Sequence, residues 1–288
     1  MSAREDARLV DLGFTRYKSE RKGRVSAVVS LARWSALRAL GARRPWTAKV
    51  VPVALVMLAF GPALVVLGAR AIVGDQVELP EIQPYDGYYG VIGVVVLVFV
   101  AMTTPELLCP DRRDRVLDLY LATAVSPFEY VLGKFLAALV PLLCLTFVPQ
   151  FTLFVGNAIF DKDAFGYLRD NADIAPKIIL SGLLLAVYFS LLGLAISSLT
   201  DRRPFAVGGF LGLMLISAGI AGSLVGLYEG TPEFEIIALG INPIALVQHV
   251  FGNFDDEGIS WTWRFGSWLV VVLSSSLVLW LRYRRAAR

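Results

Sequence analysis

The chain is predicted to be an all-α polytopic membrane protein, and three observations carry that reading. Apolar residues fill 56% of its 288 positions, and the mean hydropathy is +0.64. Six runs approach or exceed the ~20 apolar residues with which a helix crosses about 30 Å of hydrocarbon. Basic residues also collect on alternate connectors: residues 1–49, 106–134, 200–204 and 282–288 together hold 22 of the 27 Lys and Arg. The positive-inside rule places those segments in the cytoplasm, so six spans put both termini there. That side carries net +12 and the other net −9, an asymmetry hidden by the overall +3. Topology and anionic lipid account for such basic loops, and no nucleic-acid partner is expected.

In chain order, residues 1–24 alternate charge with few bulky apolar groups and read as a loosely ordered tail. From Val25 to Trp46 the pattern turns amphipathic, with Val25, Val28, Val29, Ala32, Ala36, Ala39 and Leu40 on one face and Arg33 and Arg38 off it. This predicts an interfacial helix along the inner leaflet, anchored by Trp34 and Trp46; a helix packed against protein is the rival. Spans are predicted near residues 50–69, 88–105, 131–157, 177–199, 204–227 and 261–281. The first follows too long a polar segment for a cleaved signal peptide, although Ala69-Arg70-Ala71 faintly resembles a cleavage site, and is read as a retained span.

The connector between the second and third spans is the densest in charge. Asp111, Arg112, Arg113, Asp114, Arg115 and Asp118 mix signs within eight positions. Val116, Leu117, Tyr120, Leu121 and Ala124 follow at the spacing of one helix face. Ser126-Pro127-Phe128-Glu129 reads as a capping box that opens the third span, with Ser126 at N-cap, Pro127 at N1 and Glu129 at N3. The same residues suit an ordinary solvated loop between capped helices. Pro141 and Pro149 should bend the third helix unless neighbours satisfy the freed carbonyls. The fifth span is rich in glycine, with Gly208 and Gly212, and Gly222 and Gly226, four apart, which lets another helix approach closely.

Beyond the fifth span, Thr231-Pro232-Glu233 and Asn242-Pro243 each open a short helix too brief to span; both are predicted to dip into the outer leaflet. Tyr85, Tyr88 and Tyr89 read as an aromatic belt at the outer mouth of the second span. Thr103, Thr104, Gln150, Ser217 and Ser223 are mild polar groups that either line a route or bond to backbone.

Several chemistries are missing. The lone histidine, His249, offers no zinc site or catalytic base without partners and reads as a packing residue. Cys109 and Cys144 suggest neither disulfide nor metal. No G-x-S-x-G or H-E-x-x-H motif is present. Gly133-Lys134-Phe135 lacks the spacing and hydroxyl of a phosphate loop. The predicted span interiors also lack ionisable groups for ion coupling, which disfavours a secondary transporter. Energy is therefore expected from outside the membrane.

The run Asp118-Leu-Tyr-Leu-Ala-Thr-Ala-Val-Ser-Pro-Phe-Glu-Tyr-Val-Leu-Gly-Lys134 resembles the hallmark of the permease subunits of the ABC type 2 exporter family, a charged cluster, then L-L-A-T-P-V-S, then Tyr-Val-Leu-Gly-Lys. The layout matches too: a basic connecting helix within residues 1–49, then a six-span permease domain over 50–288, with a coupling helix near 111–125 and re-entrant helices near 231–254. Ala124 stands where the family often has proline, and Cys109-Pro110-Asp111-Arg112-Arg113 replaces a Glu/Arg/Gly-rich run.

The resemblance implies a transport subunit in a bacterial or archaeal cell membrane, without its own ATP site. It would pair with two cytosolic ATPase subunits that hold ATP and magnesium, and with a second copy or a sister permease. The implied activity is outward movement of a lipid, drug or other amphipathic substrate. Coupling to the ATPase falls on Asp111, Arg112, Arg115, Asp118, Leu121, Ser126 and Glu129, and possible pathway lining on Thr103, Thr104, Gln150, Ser217 and Ser223. The alternatives are a non-transporting membrane scaffold or sensor, and an ion-coupled carrier.

Overall fold

A computed structural model describes residues 23–42, 45–73, 85–116, 120, 125–228, 232–252 and 258–286, and these form only helices and turns. In chain order they are α1 (Arg24–Ala39), α2 (Thr47–Val73), α3 (Asp86–Arg113), α4 (Pro127–Phe160), α5 (Ala164–Asp170), α6 (Ile174–Ser197), α7 (Arg203–Leu227), a 3-10 helix (Pro232–Ile237), α8 (Asn242–Val250) and α9 (Trp261–Ala286). Six of these, α2, α3, α4, α6, α7 and α9, are long and apolar enough to cross a membrane.

Burial sorts the six into layers. In α3 and α6 67% of the most apolar stretch is buried, against 11% in α2 and 22% in α7 and in α9. The first pair is the centre of the bundle. α4 joins it to α1, α2 and α9. Outside, Met57, Leu58, Leu64 and Val65 of α2, Leu215 and Ile216 of α7, and Val270 and Leu273 of α9 stay exposed, as lipid-facing helices require.

Close approach at the centre depends on glycine. A Cβ at Gly193 of α6 would lie 2.7 Å from Val100 Cγ1 and 2.8 Å from Thr104 Cγ2 of α3. At Gly133 of α4 it would lie 2.9 Å from Leu31 Cδ2 of α1. The glycines of the fifth span do something else: a Cβ at Gly208, Gly212, Gly219, Gly222 or Gly226 would meet none of the described residues within 4 Å. Their face is left open by the described residues.

Helix boundaries follow local chemistry. α1 stops at Gly41, whose φ of 75° is left-handed, and α8 at Gly252, φ 87°. α4 begins at the predicted capping box: Ser126 Oγ accepts from the Glu129 N–H at 3.3 Å and the Glu129 carboxylate accepts from the Ser126 N–H at 2.7 Å. It then runs through both Pro141 and Pro149 as one helix. α5, between the third and fourth spans, is capped by Asp163 accepting from the Gly166 N–H at 3.0 Å.

Four expectations change. The second span does not end at residue 105; α3 continues to Arg113, because Glu106, Asp111 and Arg112 all find ionic partners there. Asp111 and Arg112 therefore belong to the end of α3 and not to a separate coupling helix. α1 packs against α4 and α3, burying Val28, Leu31 and Ser35, while Val25 and Val29 of the expected apolar face stay exposed. The tyrosines at the start of α3 form no outward belt: Tyr88 donates to Ala59 O at 2.7 Å, Tyr85 meets the Tyr167 hydroxyl at 2.9 Å, and Tyr89 is fully buried. Finally, Arg264 lies inside the last span, fully buried and paired with Glu235 at 3.2 Å, so the spans are not free of ionisable groups.

The two short segments before the last span are helical as expected, although the first is a 3-10 helix. α8 buries Asn242, Pro243, Ala245, Leu246, Val247 and His249 against the bundle, and His249 Nδ1 lies 3.1 Å from Ala245 O.

Candidate functional site

The start of α4 and the ends of α3, α6 and α9 meet at one end of the bundle, and most of the described arginines gather there. Its centre is Asp111. The carboxylate is fully buried, with Arg38 of α1 at 2.7 Å, Lys134 of α4 at 2.6 Å and the Tyr130 hydroxyl at 3.0 Å. Lys134 also donates to Ser35 Oγ at 2.9 Å. Helical spacing assembles the cluster: Ser35 and Arg38 are three apart on α1, Tyr130 and Lys134 four apart on α4. One carboxylate thus holds three helices together.

A buried charge is tolerated only when paired and hydrogen-bonded, and removing one partner of such a pair costs about 3–5 kcal/mol. Asp111 has two cations and a hydroxyl, so both of its oxygens are satisfied. Rings extend the cluster. Tyr130 lies 5.8 Å from Tyr120 in the charged connector and 5.3 Å from Tyr283 at the end of α9, with the Lys134 ammonium 5.3 Å from its ring centre.

The other side of α3 grips the turn between α6 and α7. Arg112 pairs with Asp201 at 2.8 Å and donates to Ser198 O; Glu106 pairs with Arg203. The Cys109 thiol approaches Thr200 O at 3.6 Å, and Ser197 Oγ donates to Thr104 Oγ1 at 3.3 Å. The turn between α6 and α7 is therefore anchored to the last turns of α3.

Between them lies an open crevice of about 730 Å³. Arg112, Arg113, Arg115, Arg202 and Arg203 line it, opposed by Asp114 and Asp201. Its net charge is positive. Arg115 adopts φ 54°, a left-handed conformation that costs a non-glycine residue about 1–2 kcal/mol and turns the chain out of α3.

The residues singled out from sequence divide accordingly. Arg112 and Arg115 line the crevice, whereas Asp111 is sealed beneath it and presents no surface. Ser126 and Glu129 cap α4 at a separate exposed corner. Asp118 and Leu121 lie outside the described residues.

Of the pathway candidates, Thr103 donates to Phe99 O at 2.7 Å, Thr104 to Val100 O at 2.9 Å and Ser217 to Met214 O at 2.9 Å. Gln150 reaches Tyr85 O. These four are buried within one chain, and Ser223 alone is exposed, on α7. Sequence reasoning missed Arg38, Glu106, Lys134 and Arg203. Each is an ionisable residue towards one end of its helix with an opposite charge on another helix, a pairing that linear spacing does not reveal.

The fold and site define a multi-pass helical membrane protein with a braced, arginine-lined crevice at one end. The family model described as ABC-2 family transporter protein matches residues 72–282, about three quarters of the chain. The chain belongs to that family and is a multi-pass ABC transporter permease. No curated protein matches it.

Proposed function

We propose that this chain is the membrane half of an ATP-driven exporter, moving an amphipathic substrate such as a lipid or drug outward across a cell membrane. Two cytosolic ATPase subunits, which hold ATP and magnesium, drive it, and a second permease copy or sister chain completes the pathway. The arginine-rich end faces the cytoplasm, with both termini.

The observation that carries this reading is the attachment of the α6–α7 connector, α1 and α4 to the end of α3. Force applied at the crevice enters α3 and α7 through Arg112–Asp201 and Glu106–Arg203, and α1 and α4 through Asp111. A docking ATPase would present acidic groups to Arg113 and Arg115. Asp111 acts as a positioning residue under this surface, and Asp118 and Leu121, which follow it in the sequence, share the coupling role. The pathway candidates inside the chain are engaged in helix packing, which favours a route along the open glycine face of α7, between two permeases.

Purified ATPase added to the permease in liposomes tests the reading. Turnover should rise on contact with the wild-type chain and substrate accumulation should need ATP. Arg113→Glu with Arg115→Glu, both exposed positions, should abolish stimulation while membrane insertion persists. Stimulation unaffected by the double reversal would place the docking surface elsewhere.

A further inference from the structure

A second cavity, of about 570 Å³, lies between the first turns of α4, the last turns of α9 and Leu191 of α6. Its volume falls among the roughly 300–1,000 Å³ of ligand pockets. The floor is Leu191, Leu279 and Tyr283, the last two almost wholly buried. The rim is Phe128, Leu132 and Trp280, at 69%, 36% and 47% exposure, so the groove opens sideways from the bundle where lipid-facing side chains stand.

Depth and charge define an occupant. Along α4 the lining runs from Ser126 to Phe135, and along α9 from Arg284 back to Ser276. At 1.5 Å per residue each path covers about 12 Å, most of the ~15 Å of one leaflet's hydrocarbon. At one end of the groove Ser276 donates its hydroxyl to Val272 O; the groove is charged only at the other, the bundle's end. There Arg284, its guanidinium 4.7 Å from the Trp280 ring centre, stands beside Ser126, at the depth where an arginine and an indole meet headgroups.

We propose that this groove holds one anionic phospholipid of the leaflet bordering the arginine-rich end, an acyl chain lying between α4 and α9 and the phosphate at Arg284. The site is separate from the arginine crevice, and it requires only that the six helices span a bilayer. Its occupant seats against Tyr283, whose ring packs on Tyr130, and so touches the cluster around Asp111 from the side opposite α1.

The full-length chain, in nanodiscs of equal phosphatidylglycerol and phosphatidylcholine, would be released and weighed by native mass spectrometry. One phosphatidylglycerol should remain bound, favoured by about fivefold or more for each basic side chain engaged. Arg284→Gln should erase most of that preference while still retaining lipid. Leu132→Trp, at a half-exposed rim position, should expel the lipid, with helical content unchanged by circular dichroism. Equal retention of the two lipids by the wild type, an unchanged preference in Arg284→Gln, or full occupancy in Leu132→Trp each overturns the proposal. So does a lipid-free dimer that Leu132→Trp dissociates, because a second copy would then fill the groove. Failure of an ATPase to bind the chain would leave all of these results standing.

Discussion

Asp111 and Lys134, 23 residues apart and on different helices, meet at 2.6 Å with almost no solvent access to either. Arg38 completes the cluster from α1, so among the described residues two cations meet one carboxylate, that of Asp111.

Removing the acid is therefore expected to be the worst single change there. Asp111→Leu leaves Lys134 and Arg38 facing each other and should destabilise the chain by about 3–5 kcal/mol. Lys134→Met alone should be milder, since Arg38 still pairs with Asp111. The double variant Asp111→Leu with Lys134→Met should recover much of the loss. Thermal unfolding in detergent reads the order, and a double variant as unstable as the sum of the singles would show that the pair is not what couples α3 to α4.

The Arg112–Asp201 pair behaves differently because Asp201 is 56% exposed. Reversal at either position should change stability by about 1 kcal/mol or less, yet ATP-driven transport in liposomes should fall. Exchanging the charges, Arg112→Asp with Asp201→Arg, should restore part of the transport. No recovery would mean that Arg112 acts through its bond to Ser198 O and not through the ion pair.

Glycines at the two kinds of position should respond oppositely. Gly193→Leu drives side-chain atoms into Val100 and Thr104 and should cost at least about 1–3 kcal/mol by overpacking. At Gly219 a Cβ meets none of the described residues, so in Gly219→Leu the monomer's unfolding temperature should hold while association between permease copies weakens. Size-exclusion chromatography with light scattering checks the second half.

Orientation is open to direct labelling. In intact cells, a membrane-impermeant thiol reagent should modify Asp170→Cys, at the end of α5, and miss Arg115→Cys until the membrane is opened. Inverted vesicles should give the reverse pattern. Labelling of Arg115→Cys from outside would turn the permease over and remove the crevice from any cytosolic ATPase.

The six spans and the α4 cap were legible because both are local signals. Twenty apolar residues in a row, or a serine three residues before a glutamate, need no knowledge of the rest of the chain. The end of α3 was not legible in this way. Asp111 and Arg112 sit in a run that reads as solvated charge, and only the fold shows that one points inward to Lys134 and the other sideways to Asp201. The tyrosines opening α3 failed for a related reason. An aromatic at a span boundary suits lipid headgroups and a buried hydroxyl acceptor equally well, and here Ala59 O and Asn157 supply partners inside the protein. Arg264 was countable as a charge within the last span, but its tolerance depended on Glu235, 29 residues away.

The length of α4 has a further consequence. From Phe135 to Phe160 its apolar stretch covers about 39 Å at the usual helical rise, while an average bilayer offers about 30 Å. The helix must lean, or the surrounding lipids must stretch to meet it. Because α4 touches α1, α2, α3, α6 and α9, its inclination is shared by most of the bundle. Membrane thickness thereby becomes a mechanical input to this permease, one that acyl-chain length and growth temperature can adjust without any change in the protein.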